Sequence, residues 1–220
     1  IASMTKPVTS LGIMILADEG KLGLDDEVEK HLPEFRGQML VSERTKDRLV
    51  LCRPAKKITL RHLLTHTSGL PRPPEGLADL YAARNHTLAE GIMAMSQRPL
   101  EFEPGAKFAY DNTGYILLGV VIEKASGQTY ADYLSQHIFQ PLGMKNTGYD
   151  VSDQVLSKRA SGYKATKDGW RNADYLDMTL PYAAGSLYST VDDLLTWNTA
   201  LTEGKILTEA SRKAAWTPNL

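Results

Sequence analysis

The chain has 220 residues, of which 42% are hydrophobic and 23% are charged, and its formal net charge is −1. This composition is ordinary for a globular protein. The length suits one sizeable domain, or one domain with part of a second. The near-zero net charge argues against a nucleic-acid partner. One cysteine, Cys52, excludes an internal disulfide scaffold. No apolar run reaches the roughly 18 residues of a bilayer span, so we expect no membrane-spanning segment.

Helical patterning dominates the chain. In chain order, the apolar spacing predicts helices over residues 5–19, 59–66, from 87 onwards, 113–125, 129–139, 190–201 and from 208 onwards. Gly20 is predicted to end the first helix. Threonine is a favoured N-cap residue, and five threonines are candidate caps: Thr59, Thr87, Thr129, Thr190 and Thr208. Glu90 completes a capping box with Thr87.

Two hairpins complete the predicted elements. Residues 44–57 alternate loosely between apolar and polar types and place Cys52 in a strand, where we interpret it as a structural residue rather than a nucleophile. Residues 160–175 are predicted to form a second hairpin that turns at Asp168 and Gly169. The sequence therefore predicts a mostly helical body with a few short strands.

The start of the chain carries a serine and a lysine in the pattern S-x-x-K. On a helix, Ser3 and Lys6 lie on the same face. A serine at the start of a helix gains from the unpaired N–H groups and the positive end of the helix dipole, and a lysine in a dry pocket can act as a base. Ser3 is therefore a candidate nucleophile with Lys6 as its partner. The alternative is an N-cap serine followed by a surface lysine.

A second match to the same pattern provides a comparison within the chain. Ser161 and Lys164 have the same spacing but lie in the predicted hairpin. Residues three apart on a strand point to opposite faces, so this pair is not a candidate site.

Tyr110 and Asn112 form a second pattern, Y-x-N, directly before a long apolar helix. A tyrosine held between cations can carry protons between a serine, a lysine and a leaving group. The asparagine amide can donate to a substrate and accept from a lysine. The alternative interpretation is that Asn112 caps the following helix and Tyr110 is an interfacial aromatic residue.

These two motifs, in this order, resemble those of the class C β-lactamase-like serine hydrolases. That family includes class C β-lactamases, D-alanyl-D-alanine carboxypeptidases, D-aminopeptidases and family VIII esterases. The resemblance extends over nearly the whole chain, and its other segments are residues 58–70, 104–112, 141–144 and 183–190.

The resemblance implies an α+β, β-lactamase/transpeptidase-like fold. This chain would hold mostly the helical domain and the nucleophile helix, with much of the antiparallel sheet missing. Residues 1–20 would form the nucleophile helix at the domain interface, residues 21–190 a mainly helical domain with short hairpins, and residues 191–220 helices that lead back to an incomplete α/β domain. The family's third motif, K-T-G or H-x-G, has no counterpart here.

Because the chain begins at Ile1 without a methionine, we expect it to be part of a longer protein. The missing strands would provide the second oxyanion donor, so the isolated segment is expected to fold poorly or to be inactive. The sequence is compatible with two cellular locations, periplasmic or secreted on the one hand and cytoplasmic on the other.

By resemblance, Ser3 would be the acylated nucleophile, Lys6 its activating partner, and Tyr110 the general base and acid. The backbone N–H of Ser3 would supply half of an oxyanion hole. Contacts with the substrate would come from Asn112, which would also contact the lysine, and from loop backbone at Gly185 and Ser186.

The function implied is that of a serine hydrolase, acting through an acyl-enzyme on small esters or amides, with no cofactor or metal. One alternative is a β-lactamase, a D-alanyl-D-alanine carboxypeptidase or a D-aminopeptidase. Another is a penicillin-binding or sensor module that is acylated and does not turn over. Asp111 would disfavour anionic β-lactams if its side chain faced the cleft.

A zinc hydrolase is a further rival interpretation. His62 and His66 are four residues apart on one predicted helix, which is a zinc-ligand spacing. The H-E-x-x-H signature requires a glutamate where this chain has Leu63, so the signature fails.

Overall fold

The computed structural model of the protein describes residues 1–72, 94–151 and 154–218. Its α-helices are α1 (Thr5–Asp18), α2 (Val28–His31), α3 (Leu60–Leu64), α4 (Asn112–Ser126), α5 (Tyr130–Leu134), α6 (Gln140–Leu142), α7 (Val191–Thr202) and α8 (Glu209–Trp216). Its strands are β1 (Leu40–Arg44), β2 (Leu49–Cys52), β3 (Gly148–Tyr149), β4 (Tyr163–Thr166), β5 (Gly169–Asn172) and β6 (Leu187–Tyr188). Short 3₁₀ helices cover Ala2–Met4, Pro33–Phe35 and Tyr182–Ala184, and a π-helical turn covers Ser135–Phe139. The helix predicted from Thr87, with its capping box at Glu90, lies outside the described residues.

Helices α1 and α4 form the centre of the core. Both are apolar on nearly every side, and a helix of that kind is stable only when other elements surround it. Leu16 in α1 and Leu118 in α4 have no exposed surface. The two helices pack against each other, and Gly12 of α1 lies close to the Ile122 side chain of α4. This packing fixes the position of α1, whose first turn follows Ser3.

Helix α4 begins and ends through local contacts. The Asp111 carboxylate accepts hydrogen bonds from the N–H groups of Thr113 and Gly114, at 2.8 and 2.9 Å. Gly127 ends the helix with φ of 71°, in the left-handed region. The predicted helix is confirmed, but the interpretation of Asn112 as its cap is wrong. Asp111 is the N-cap because its backbone is extended and its carboxylate reaches both free N–H groups, whereas Asn112 is already the first residue of the helix.

The remaining caps follow the sequence prediction. Thr59, Thr129, Thr190 and Thr208 each accept a hydrogen bond from a backbone N–H three residues later. Helix α3 is shorter than predicted and ends at Leu64. Within residues 1–72, 94–151 and 154–218, none of the helices has the length and apolar character needed to span a bilayer.

Every sheet in the described part of the chain is a two-stranded antiparallel pair. The predicted hairpin around Cys52 is confirmed, and Cys52 pairs with Leu40 at the open end of β1 and β2. The second hairpin is also confirmed, but its turn is not at Asp168 and Gly169. Thr166 pairs directly with Gly169, so the turn residues are 167 and 168, and Gly169 begins β5 with φ of 115°.

Candidate active site

The structure brings together the three residues of the predicted catalytic set. Ser3 lies in the exposed 3₁₀ turn directly before α1. Its hydroxyl oxygen is 2.7 Å from the Tyr110 hydroxyl and 3.1 Å from the Lys6 Nζ. Ala2, which precedes the serine, has φ of 48°, a left-handed conformation that is strained for a residue with a side chain. Such strain is typical of turns that present a reactive group.

The Lys6 ammonium is buried, with 4% of the residue exposed. Besides Ser3, it donates a 2.8 Å hydrogen bond to the carbonyl oxygen of Ala184. It also lies over two aromatic rings, 4.9 Å from the centre of Tyr110 and 5.6 Å from the centre of Tyr115. A buried charge needs partners of this kind, and the carbonyl dipole and the ring faces stabilise the ammonium at the base of the site.

One face of α1 positions residues 183–187, a segment that begins inside the 3₁₀ helix Tyr182–Ala184. Thr9 donates a 2.7 Å hydrogen bond to the carbonyl of Ala183, and the Thr5 hydroxyl accepts a 3.1 Å bond from the N–H of Leu187. Thr5 and Thr9 are fully buried. With Lys6, they bind three backbone groups of this segment, which is why the carbonyl partner of Lys6 is held in place.

Tyr110 is partly exposed, so its hydroxyl is open to a substrate as well as to Ser3. Partial burial raises the pKa of Tyr110, but hydrogen bonding to Lys6 and Ser3 and the positive charge of Lys6 outweigh this and leave the pKa below its ordinary value. A phenol with a lowered pKa is a better proton acceptor near neutral pH than an ordinary tyrosine.

The other three predicted site residues have different surroundings. Asn112 is exposed on the first turn of α4, and the hydrogen bonds of Lys6 in the described structure go to Ser3 and Ala184 rather than to Asn112. Gly185 packs beside the Ser3 turn, since a Cβ atom there would lie 2.9 Å from Pro181 and 3.8 Å from the backbone of Ala2.

Ser186 offers no group to a substrate. It has no exposed surface, its hydroxyl donates a 2.6 Å hydrogen bond to the carbonyl of Tyr182, and its N–H donates to the same carbonyl. Its own carbonyl accepts from the N–H of Asp150. The expectation that Ser186 approaches the cleft is therefore wrong, because all its polar groups are bound inside the protein.

Asp111 does not face the cleft either. Only 4% of the residue is exposed, and both carboxylate oxygens accept N–H groups of α4. Burial raises the pKa of this carboxyl, although the hydrogen bonds from Thr113 and Gly114 oppose the shift. The condition for repulsion of anionic β-lactams is therefore not met.

The two histidines of the rival metal interpretation are bound to backbone. His62 Nδ1 accepts the N–H of Thr59 at 3.1 Å, and His66 Nδ1 accepts the N–H of Asp111 at 3.1 Å. The described ranges contain no group of three or more histidine, cysteine, aspartate or glutamate residues placed to hold a metal ion. Sequence spacing indicates His66 only as a partner of His62 in a metal site, and the contact of His66 with Tyr110 has no signal in local spacing.

Comparison with known proteins identifies the family. A sequence model described as Beta-lactamase matches residues 1–220. The chain belongs to the beta-lactamase family. Penicillin-binding protein 4* of Bacillus subtilis (strain 168) is 32% identical to it over 233 residues, which cover 99% of this chain and 48% of that protein. The chain thus spans about half the length of that relative.

Solved structures agree with this membership. The D-stereospecific amidohydrolase from Streptomyces sp. is similar at a TM-score of 0.77 and 27% identity, over 97% of this chain and 63% of that one. EstCE1, a hydrolase with promiscuous acyltransferase activity, is similar at a TM-score of 0.77 and 27% identity, over 96% and 61% of the respective chains. The expected β-lactamase/transpeptidase-like fold is confirmed, and the beta-lactamase family chain described here covers part of it.

Proposed function

We propose that the protein is a serine hydrolase that acts through an acyl-enzyme on small esters or amides, with Ser3 as the nucleophile. The observation that supports it is the placement of the Ser3 hydroxyl within 2.7 Å of the Tyr110 hydroxyl and 3.1 Å of the Lys6 Nζ. These distances are short enough for direct proton transfer between the three side chains.

In the acylation step, Tyr110 accepts the hydroxyl proton of Ser3 while the serine oxygen bonds to the carbonyl carbon of the substrate. The tetrahedral intermediate then collapses. The bond from the carbonyl carbon to the leaving alcohol or amine breaks, and the leaving group takes the proton from Tyr110. In deacylation, Tyr110 takes a proton from water, the hydroxide adds to the acyl carbon, and Ser3 leaves with that proton.

Lys6 supports this cycle by its charge. Its ammonium lies beside both Ser3 and Tyr110 and favours the anionic form of either group. The N–H of Ser3 is proposed as one donor to the oxyanion of the intermediate, because it lies in the turn that leads into the positive end of α1. Asn112 and Gly185 are proposed as substrate contacts at the rim of the site.

The choice of ester or amide substrates rests on relatives that are an amidohydrolase and a hydrolase with acyltransferase activity. The similarity to a penicillin-binding protein favours a second candidate, in which Ser3 is acylated by a β-lactam or a D-alanyl-D-alanine peptide. The same three side chains serve both, so the two candidates differ in their substrates and in the rate of deacylation.

The test compares Ser3→Ala with Ser161→Ala in the protein at its natural length. Both serines are exposed and begin an S-x-x-K sequence, but Ser161 lies next to β4 in the second hairpin. Hydrolysis of a nitrophenyl ester is expected to vanish in Ser3→Ala and to persist in Ser161→Ala. Equal activity of both variants contradicts the proposal. The ratio of ester to nitrocefin hydrolysis in the unaltered protein then ranks the two candidates.

A further inference from the structure

His66 holds both neighbours of Tyr110 in the chain. Its carbonyl oxygen accepts the N–H of Ala109 at 2.8 Å, and its Nδ1 accepts the N–H of Asp111 at 3.1 Å. The two bonds flank Tyr110, as the bonds of a strand partner would. They fix the backbone from which the Tyr110 ring extends toward Ser3.

The His66 ring also packs against the Tyr110 ring. The two ring centres are 4.6 Å apart with planes inclined by 31°, and Tyr115 lies at 5.1 Å on the same imidazole. His66 has φ of 57°, in the left-handed region where histidine, asparagine and aspartate are enriched among residues other than glycine. This unusual conformation lets one residue present its carbonyl and its ring nitrogen to the same segment.

The bond from Asp111 requires a neutral imidazole. An Nδ1 that accepts a hydrogen bond has no proton, so the ring proton is on Nε2. Protonation adds an N–H at Nδ1 that points at the N–H of Asp111, and the two donors repel each other. The charged group that acts on the ring is Lys6 on α1, and the backbone N–H of Asp111 donates to it. The rings packed against the imidazole are those of Phe108, Tyr110 and Tyr115, of which the two tyrosine phenols can titrate.

We propose that His66 is a positioning residue for Tyr110 that works only as the neutral imidazole, so that its protonation displaces Tyr110 from Ser3 and stops hydrolysis. This inference rests on the proposed function, since it requires Tyr110 to be the base. It adds an acid switch that is separate from the titration of Tyr110 itself.

The surroundings of His66 determine whether it is protonated at a higher or a lower pH than an ordinary histidine. Burial lowers its pKa most, and the positive charge of Lys6 lowers it further. The neutral form therefore persists to a lower pH than for an ordinary histidine, and the switch operates on the acid side of the usual histidine range.

The pH dependence of kcat/KM separates this switch from the titration of Tyr110. As the pH falls, protonation of Tyr110 alone makes log kcat/KM decline with a slope of one. Once His66 is protonated as well, two groups must lose protons and the slope steepens to two. His66→Asn places an amide oxygen near the position of Nδ1, tolerates the left-handed conformation and does not titrate. It is expected to retain most activity at neutral pH and to keep a slope of one.

His62→Asn is the matched control. His62 lies in α3, four residues before His66, and its Nδ1 also accepts a backbone N–H, but the ring lies against Gly105 rather than Tyr110. This variant is expected to keep the steep acid limb of the unaltered protein. A second measurement, NMR titration of the unaltered protein with labelled histidine and tyrosine, is expected to show an Nε2–H tautomer for His66 and a shift of the Tyr110 signals as His66 is protonated.

Different results would overturn the proposed function and the proposed role of His66. Persistent ester hydrolysis in Ser3→Ala overturns the proposed function. If Ser3 is required but the unaltered protein shows no steepening, or if His66→Asn steepens in the same way, the role of His66 is overturned. If His66→Asn does not fold, the NMR titration of the unaltered protein decides. Tyr110 signals that stay constant while His66 titrates would overturn the role of His66. Both experiments use the protein at its natural length.

Discussion

Gly119 provides the sharpest test of how the core positions Lys6. It lies in α4 where this helix meets the 3₁₀ helix Tyr182–Ala184, and a Cβ atom added there would lie 2.4 Å from the Ala183 Cβ and 2.6 Å from a ring carbon of Tyr182. Ala183 has no rotatable side chain, so the contact can be relieved only by moving its backbone. Gly119→Ala is therefore expected to push this segment away from α4 and so to shift it relative to α1.

The size of the effect follows from these distances. Carbon atoms in contact are about 3.5 to 4.0 Å apart, so the segment must move by about 1 Å. Overpacking of this kind costs about 1–3 kcal/mol, while the better helix propensity of alanine returns about 1 kcal/mol. We expect the free energy of unfolding to fall by about 0–2 kcal/mol. The same displacement weakens the 2.8 Å bond from Lys6 to Ala184, and a misplacement of about 1 Å can lower kcat/KM about 10²-fold.

Gly12→Ala is the control for this prediction. Gly12 is also inside a helix, but its added Cβ would meet the flexible end of Ile122 at 3.0 Å. We expect stability near that of the unaltered protein and nearly full activity. Chemical denaturation and ester kinetics at natural length measure both quantities. If Gly119→Ala matches Gly12→Ala in both, the reasoning from close packing is refuted.

Three further substitutions test individual contacts. Lys6→Met removes the charge that lowers the pKa of Tyr110, so that pKa should rise and the acid limb of the pH–rate profile should move to higher pH; an unchanged limb contradicts the role of Lys6. Asp111→Ala should lower the free energy of unfolding by about 1 kcal/mol in chemical denaturation, whereas Asp111→Asn should retain the cap. Neither Asp111 variant should change the ratio of ester to nitrocefin hydrolysis, since the carboxylate is turned away from the site. Ser186→Ala should cost about 1 kcal/mol of stability through its lost bond to Tyr182 while kcat/KM stays near that of the unaltered protein, and a selective loss of kcat/KM would restore Ser186 as a substrate contact.

The sequence predicted features whose physics is local. A threonine cap such as Thr59 or Thr190 bonds to an N–H three residues later, and both partners are visible in the sequence. The relation between Ser3 and Lys6 is local for the same reason, since helical spacing places both on one face. The contact of Ser3 with Tyr110, 107 positions away, came from family resemblance and not from spacing.

What the sequence missed depends on tertiary packing or on small differences between neighbours. Asp111 and Asn112 can both cap a helix, and only the backbone path decides which side chain reaches the N–H groups. The sequence predicts a loop residue at Ser186, but Thr5 and Thr9 bind the backbone on either side of it and Ser186 is buried. The role of His66 requires its left-handed backbone and the approach of residues 109–111, neither of which a local pattern encodes.

The most direct test of the account is the site and rate of labelling by a fluorophosphonate, measured by peptide mass spectrometry in the unaltered protein and in Tyr110→Phe. The account predicts a single adduct on the peptide that carries Ser3, formed about 10²- to 10⁴-fold more slowly in Tyr110→Phe because the base is lost. An adduct on another residue, or an equal rate in the two proteins, would contradict the assignment of Ser3 as the nucleophile and Tyr110 as its base.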